Sequence, residues 1–238
     1  MACCRRPDQA VQLNEWRGSL PDPSRIDVRS LDLTDQASIE ELGAHLRGTY
    51  DRVDILLNVA GLLGNGKTDL GPERTITRID RGWMEASLAV NVIGPVMLTK
   101  ELVPLLTQPR RRRQLDESEV QRPTALVANL SARVGSISDN GLGGWYSYRL
   151  SKAALNQATR TMALELGRQL VWCVALHPGT TNTDLSAPFQ ANVKQGSLFP
   201  VEFTVKQLLI VMDAVHAEHS GGFYDCEWYL CWKGCMVR

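Results

Sequence analysis

Tyr148 and Lys152 are the residues whose types and spacing point most directly to chemistry. Four positions apart near the start of a helical pattern, they share one face. A free tyrosine, with a pKa of about 10, is a poor acid or base near neutrality. A neighbouring ammonium favours the phenolate and lowers that value, which would poise Tyr148 for proton transfer. Tyr146, six residues from Lys152, points elsewhere. Alone the pair is a weak signal, because a surface Tyr and Lys meet at this spacing by chance. Asn91 stands in Leu88-Ala-Val-Asn-Val-Ile-Gly-Pro95, an otherwise apolar stretch. Asparagine is disfavoured inside helices, and Gly94-Pro95 would free backbone carbonyls beside it. Asn91 either satisfies that kink or holds a water in a proton relay with Lys152.

The elements that must position these groups alternate between strand and helix. Strands are expected over 25–33, 53–57, 124–130 and 171–176, with a last one near Phe223-Tyr224. Helices are expected over 35–47 with Asp35 as cap, 80–106 with strain near Gly94-Pro95, 146–169 and 204–218. Short apolar strands alternating with helices imply an α/β fold, a doubly wound parallel sheet covered on both faces. In such sheets ligands sit beyond the carboxyl ends of the strands. Asp32, Asn58 to Gly61, Ser131 and Pro178 to Thr183 all fall at those ends.

The 238 residues suit one domain over 1–238. Within it, 109–122 reads as an inserted flexible loop, where Arg110 to Arg113 face an acidic block, and 226–238 reads as an atypical tail. The 26 basic and 26 acidic residues cancel, which excludes a global field for nucleic acid or anionic lipid. The six cysteines make no regular disulfide framework and no signal peptide precedes them. No apolar stretch approaches about 20 residues, so no membrane span is expected. A cytoplasmic protein follows. Cys226, Cys231 and Cys235, with His216 and His219 upstream, fit no common zinc spacing.

Asn58-Val-Ala-Gly61, Asn91, Ser131, Tyr148-x3-Lys152 and Pro178-Gly179-x3-Thr183 occur in the order of the motifs of the classical short-chain dehydrogenase/reductases. The segments 129–139 and 143–156 look most like the C-factor-like, carbonyl-reductase branch. The resemblance runs from about residue 3 to about 225. It implies a Rossmann-like fold and an NAD(P)-dependent enzyme that reduces a ketone, aldehyde or quinone to an alcohol. Tyr148 would be the general acid, Lys152 would assist it and bind the nicotinamide ribose, and Asn91 would hold the relay water. A serine would polarise the carbonyl. Asp32 and Leu33 would contact adenine. Asn58, Ala60 and Gly61 would line the adenine-ribose side, and Pro178, Gly179, Thr181 and Thr183 would hold nicotinamide and phosphates. Arg5 and Arg6 sit where an acidic residue would select NAD. An arginine there accommodates the 2′-phosphate of NADPH, although the two could equally be exposed arginines at a chain start. The partner is a small-molecule carbonyl, with two copies pairing through the long helices.

Three departures accompany the likeness. The family's first strand and its Gly-x3-Gly-x-Gly turn have no counterpart, so roughly one β-α unit is missing and the main phosphate cradle with it. The position of the family's serine is Ala132; Ser131 lies one place earlier, and Ser136 is twelve residues before Tyr148. Ser131 is preferred. The tail after Cys226 resembles no part of the family. The missing turn also motivates a reading of another class, a non-catalytic dehydrogenase-like binding or regulatory protein.

Overall fold

The computed structural model describes residues 1–64, 72–109 and 123–226. Residues 110–122 of the loop expected over 109–122, and residues 227–238 of the tail expected over 226–238, with Cys231 and Cys235, lie outside the described residues. In chain order the elements are β1 (Ala2–Cys4), α1 (Val11–Gly18), β2 (Val28–Ser30), α2 (Gln36–Thr49), β3 (Ile55–Asn58), α3 (Arg81–Leu88), α4 (Gly94–Leu106), β4 (Ala125–Leu130), α5 (Tyr146–Leu166), β5 (Val171–His177), β6 (Thr180–Thr181), β7 (Leu198–Phe199), α6 (Val201–Asp213) and β8 (Phe223–Asp225). A π-helical turn, Ala89–Ile93, joins α3 to α4.

Alternation along β4 and β5 sets the layers, because successive strand residues face opposite sides. Ala125, Val127, Val171 and Cys173 pack under α2, α4 and α5 through Ile39, Leu42, Leu102, Leu106 and Leu166. Leu126, Ala128, Trp172, Val174 and Leu176 meet Val211 and Val215 on the other face. Each such buried Leu or Val contributes about 1.5–3 kcal/mol. The result is a doubly wound parallel sheet of order β3-β4-β5-β8. β1 and β2 form a separate parallel pair, in register Cys3 to Arg29. Among the described residues β3 pairs with β4 alone, and no strand joins it to β1. On that side Ile55, Leu57 and Val59 remain 55%, 43% and 55% exposed.

Several bounds differ from the sequence expectation. The strand expected over 25–33 is paired only at Val28–Ser30, because its partner β1 offers three residues, and Pro23–Arg25 form a 3-10 turn. The helix expected over 204–218 starts at Val201 and stops at Asp213, before a short 3-10 turn at Ala217–His219. Asp35 does cap α2, accepting from Ala37 N–H at 3.0 Å. Among the described residues one helical run, Arg81–Leu106, is long and apolar enough to cross a membrane by length and composition alone, a test that a core helix also passes. Its Leu98, Leu102, Leu105 and Leu106 are buried in the core.

Candidate active site

The carboxyl edge of β3 and β4 and the first turns of α5 bring the candidate residues together. Tyr148 and Lys152 lie one turn apart on α5 and are 8% and 3% exposed. Lys152 Nζ lies 5.7 Å from the Tyr148 ring centroid and donates to the Leu130 carbonyl at 2.7 Å. Burial pushes the Tyr148 phenol up to about 12 and the Lys152 ammonium down to about 8. This reverses the sequence expectation of a lowered Tyr148 value: desolvation disfavours both charged forms, and sequence spacing carries no information on burial. Tyr148 is therefore a protonated donor at neutral pH.

Gly135 fixes the distance between the end of β4 and α5. A Cβ at this residue would lie 2.7 Å from the Lys152 carbonyl carbon and 2.8 Å from its Cβ, so the 3-10 turn Arg133–Gly135 seats directly on the helix at Lys152.

Asn91 is buried in the π turn, and its side chain clamps the segment after β3. Its Oδ1 accepts from Leu62 N–H at 2.7 Å, and its Nδ2 donates to Leu62 O and Ser151 Oγ, both at 2.9 Å. The irregular turn lies directly before Gly94-Pro95, as the sequence expects, and Asn91 stands at its centre. Gly61 leaves space against both groups, since a Cβ there would stand 3.7 Å from Asn91 Oδ1 and Lys152 Nζ.

Asn58 is an internal tie. Its Nδ2 donates to Asn129 Oδ1 at 2.8 Å, and Asn129 Nδ2 donates to Thr159 Oγ1 at 2.8 Å. Ser131 follows the same side: its Oγ donates to Asn156 Oδ1 at 2.6 Å, toward the middle of α5. The expectation that Ser131 polarises a substrate meets this geometry badly, because its proton is engaged inside the fold. Ser131 shares the face of Asn129, and the extended backbone at Ala132 turns the next side chain the other way. Ser136 is 7% exposed and its Oγ lies 3.1 Å from Ser138 Oγ. In such a hydroxyl pair one proton stays available for a third partner.

Of the residues expected around adenine, Leu33 abuts Gly94 beside the π turn, where a Cβ on Gly94 would stand 2.5 Å from the Leu33 Cβ. Asp32 Oδ1 accepts from Thr34 N–H at 2.9 Å and Thr34 Oγ1 at 2.7 Å. These bonds, with the Arg5 charge, hold its carboxyl below the usual range. Leu33 packs on the core and Arg5 is exposed. Ala60 is exposed beside Gly61. After β5, Pro178 and Gly179 turn the chain back so that Thr180–Thr181 pair with Leu198–Phe199. Thr181 Oγ1 lies 3.0 Å from Thr204 Oγ1, and Thr183 N–H donates to Ser186 Oγ at 3.2 Å.

Sequence reasoning missed three features. Trp145 stands 6.3 Å from Tyr148 and 5.0 Å from Phe189, ring centroid to centroid, forming an aromatic wall beside the phenol. Asn156, Asn129 and Thr159 form the polar ties already described. Glu73, at 4% exposure, reaches α5 from the β3-to-α3 connection. Trp145 lies only three residues before Tyr148, but its contact with Phe189, the polar ties and Glu73 all join distant parts of the chain and carry no local signal. Among the described residues no group of three or more His, Cys, Asp or Glu gathers into a metal site.

A model of the short chain dehydrogenase family matches residues 1–194. C-signal of Myxococcus xanthus is 35% identical over 175 residues, which are 74% of this chain and 89% of that protein. The 1-hydroxy-2-glutathionyl-2-methyl-3-butene dehydrogenase of a Rhodococcus species is 29% identical over 197 residues, 83% of this chain and 76% of its own. Among solved structures, the NADPH-bound carbonyl reductase from chicken fatty liver superposes with a TM-score of 0.79 at 28% identity. That match covers 96% of this chain and 85% of the other. Carbonyl reductase Sniffer of Drosophila melanogaster gives 0.80 at 27% identity and the same coverage. The chain belongs to the short-chain dehydrogenase/reductase family, on the branch of C-signal and the carbonyl reductases, and is an oxidoreductase of the NAD(P)-dependent kind.

Proposed function

We propose that the protein reduces a small-molecule ketone, aldehyde or quinone to the alcohol using NADPH, with Tyr148 as general acid. The observation that carries this reading is the burial of Tyr148 beside Lys152, which keeps the phenol protonated while an ammonium stands ready one turn away. The substrate carbonyl oxygen accepts the Tyr148 proton as negative charge develops on it. Lys152, fixed by the Leu130 carbonyl, stabilises the phenolate left behind. Ser136, with Ser138 as its neighbour, is the hydroxyl free to polarise the carbonyl; Ser131 holds Asn156 instead. Asn91 keeps the Gly61 turn open over Lys152 through its bonds to Leu62.

The nicotinamide end of a dinucleotide fits the residues present. Lys152 has donors beyond its single carbonyl bond, Gly61 leaves room against it, and Gly179, at φ +72°, turns the chain at the end of β5. When bound, NADPH supplies the hydride that the protein's own groups cannot. NADPH is preferred to NAD because Arg5 is exposed near Asp32, the place of a ribose 2′-phosphate; the NADPH-bound chicken carbonyl reductase is consistent with this. Thr181 and Thr183, in the turn after β5, would hold the phosphates beside the nicotinamide. Ile93, Leu150 and Leu164 remain exposed on the long helices and support pairing of two copies there.

One observation favours the second reading, a dehydrogenase-like protein that does not catalyse. Among the described residues no glycine-rich turn follows a first strand between β1 and β3. Purified protein should consume NADPH when given a reactive dicarbonyl, and Tyr148→Phe should abolish the rate. Activity surviving that substitution overturns the mechanism. Absence of NADPH binding up to millimolar concentration, read by tryptophan fluorescence, overturns the enzyme reading in favour of the second.

A further inference from the structure

The connection between β3 and α3 is fastened at both described ends to the candidate site. Leu62 is held by Asn91. At the other end Glu73 reaches the N-terminus of α5. Its Oε2 accepts the Ser147 N–H at 3.2 Å, its Oε1 accepts the Ser147 hydroxyl, and its backbone carbonyl accepts the Trp145 N–H at 2.5 Å. A buried carboxylate is unfavourable unless its charge is met. Here it meets first-turn donors that have no partner inside the helix, at the end where the helix dipole favours negative charge.

Such a cap normally comes from the residue that opens the helix. In α5 that residue is Trp145, which makes no side-chain cap and sits at φ +53°, ψ +42°, a left-handed conformation that favours glycine. The local sequence therefore does not hold its own first turn. Tyr148 follows Ser147 directly, and the Trp145 ring stands 6.3 Å from the Tyr148 ring. Both side chains depend on the orientation of the segment that Glu73 grips.

We propose that Glu73 is a positioning residue for proton transfer: by capping α5 from a distant loop it fixes the first turn of that helix, and so the Tyr148 hydroxyl. This rests on the reading of Tyr148 as the acid. A misplacement near 1 Å can slow a reaction by about a hundredfold, so Glu73→Ala should lower kcat for carbonyl reduction at least about tenfold. Glu73→Gln, which keeps an acceptor and the side-chain shape, should recover part of that loss. Amide hydrogen exchange separates the proposal from the assigned activity. In Glu73→Ala the Ser147 and Tyr148 amides should exchange about tenfold faster, while Leu155 to Ala163 on the same helix keep the wild-type rate. Loss of protection along the whole helix, or unchanged exchange at Ser147 and Tyr148, overturns the proposal whether or not the wild type reduces a carbonyl. Wild-type kcat in an active Glu73→Ala enzyme overturns it too. If Glu73→Ala does not fold, the same exchange and rate measurements on Glu73→Gln and Ser147→Ala decide: both must show the local loss, in smaller measure.

Discussion

Replacing Lys152 with methionine should abolish carbonyl reduction and yet make the protein more stable at neutral pH. Lys152 is 3% exposed, and burial lowers its pKa from 10.5 to about 8. Each tenfold loss of proton affinity corresponds to about 1.36 kcal/mol, so keeping this side chain charged at pH 7 costs the fold about 3 kcal/mol. Methionine has a similar length and no charge. It would forfeit the bond to Leu130 O and leave that carbonyl unpaired, a loss of about 1 kcal/mol. The net gain is about 2 kcal/mol, readable as a shift in the midpoint of urea unfolding. The pH dependence is a sharper signature. Unfolded, the lysine keeps its proton to about 10.5; folded, it releases it near 8. Between those values the unfolded state binds more protons at this residue, so the stability of the wild type relative to Lys152→Met should rise with pH. The advantage of Lys152→Met should correspondingly shrink toward pH 10. In the reductase reading the charged ammonium is needed, so kcat/KM should fall above about pH 8 as the free enzyme loses that proton. A variant less stable than wild type at pH 7, or a stability difference between the two that stays flat from pH 8 to 10, would refute the reasoning.

Gly135→Ala sets a Cβ against the Lys152 main chain at 2.7 Å, well inside the ~3.5 Å at which carbon atoms rest comfortably. The helix cannot rotate a backbone atom away, so thermal or urea unfolding should show a loss of about 1–3 kcal/mol, with kcat falling further than folding alone explains. Ser131→Ala removes the donor to Asn156 and should cost about 1 kcal/mol of stability while changing kcat less than about twofold. Ser136→Ala should reverse that pattern, lowering kcat about tenfold or more with little effect on unfolding; the opposite assignment in steady-state rates would return the role to Ser131.

Much of the scaffold was legible because periodicity survives in one dimension. Continuous apolar runs located β4 and β5 nearly to the residue, and the Tyr148-Lys152 spacing put both groups on one turn of α5. The α1 helix went unread because none of its residues is buried and its apolar pattern is faint. The irregular turn expected near Gly94-Pro95 is the π turn Ala89–Ile93 just before them, where Pro95 has no N–H to give the Asn91 carbonyl; that the Asn91 side chain ties this turn to Leu62 could not be read from the sequence. Ser131 shows the limit most plainly. Its residue type and place at a strand end are legible, but the bond from its hydroxyl to Asn156, 25 residues on, is not. Glu73 lies 74 residues from Ser147 in sequence, a pairing that no local pattern encodes.

The uncovered side of β3 has a consequence for how the molecule behaves in a tube. Ile55, Leu57 and Val59 stand exposed on a strand edge, and Val205, Leu209 and Ile210 on α6 are similarly bare at 49%, 57% and 52%. A free edge flanked by apolar side chains is a template on which one chain recruits another. Once heat loosens this region, association outruns refolding, and the melting temperature becomes a rate rather than an equilibrium property. Its apparent value then moves with scan speed and with protein concentration, so the durability of this protein is governed by colloidal encounter as much as by its core.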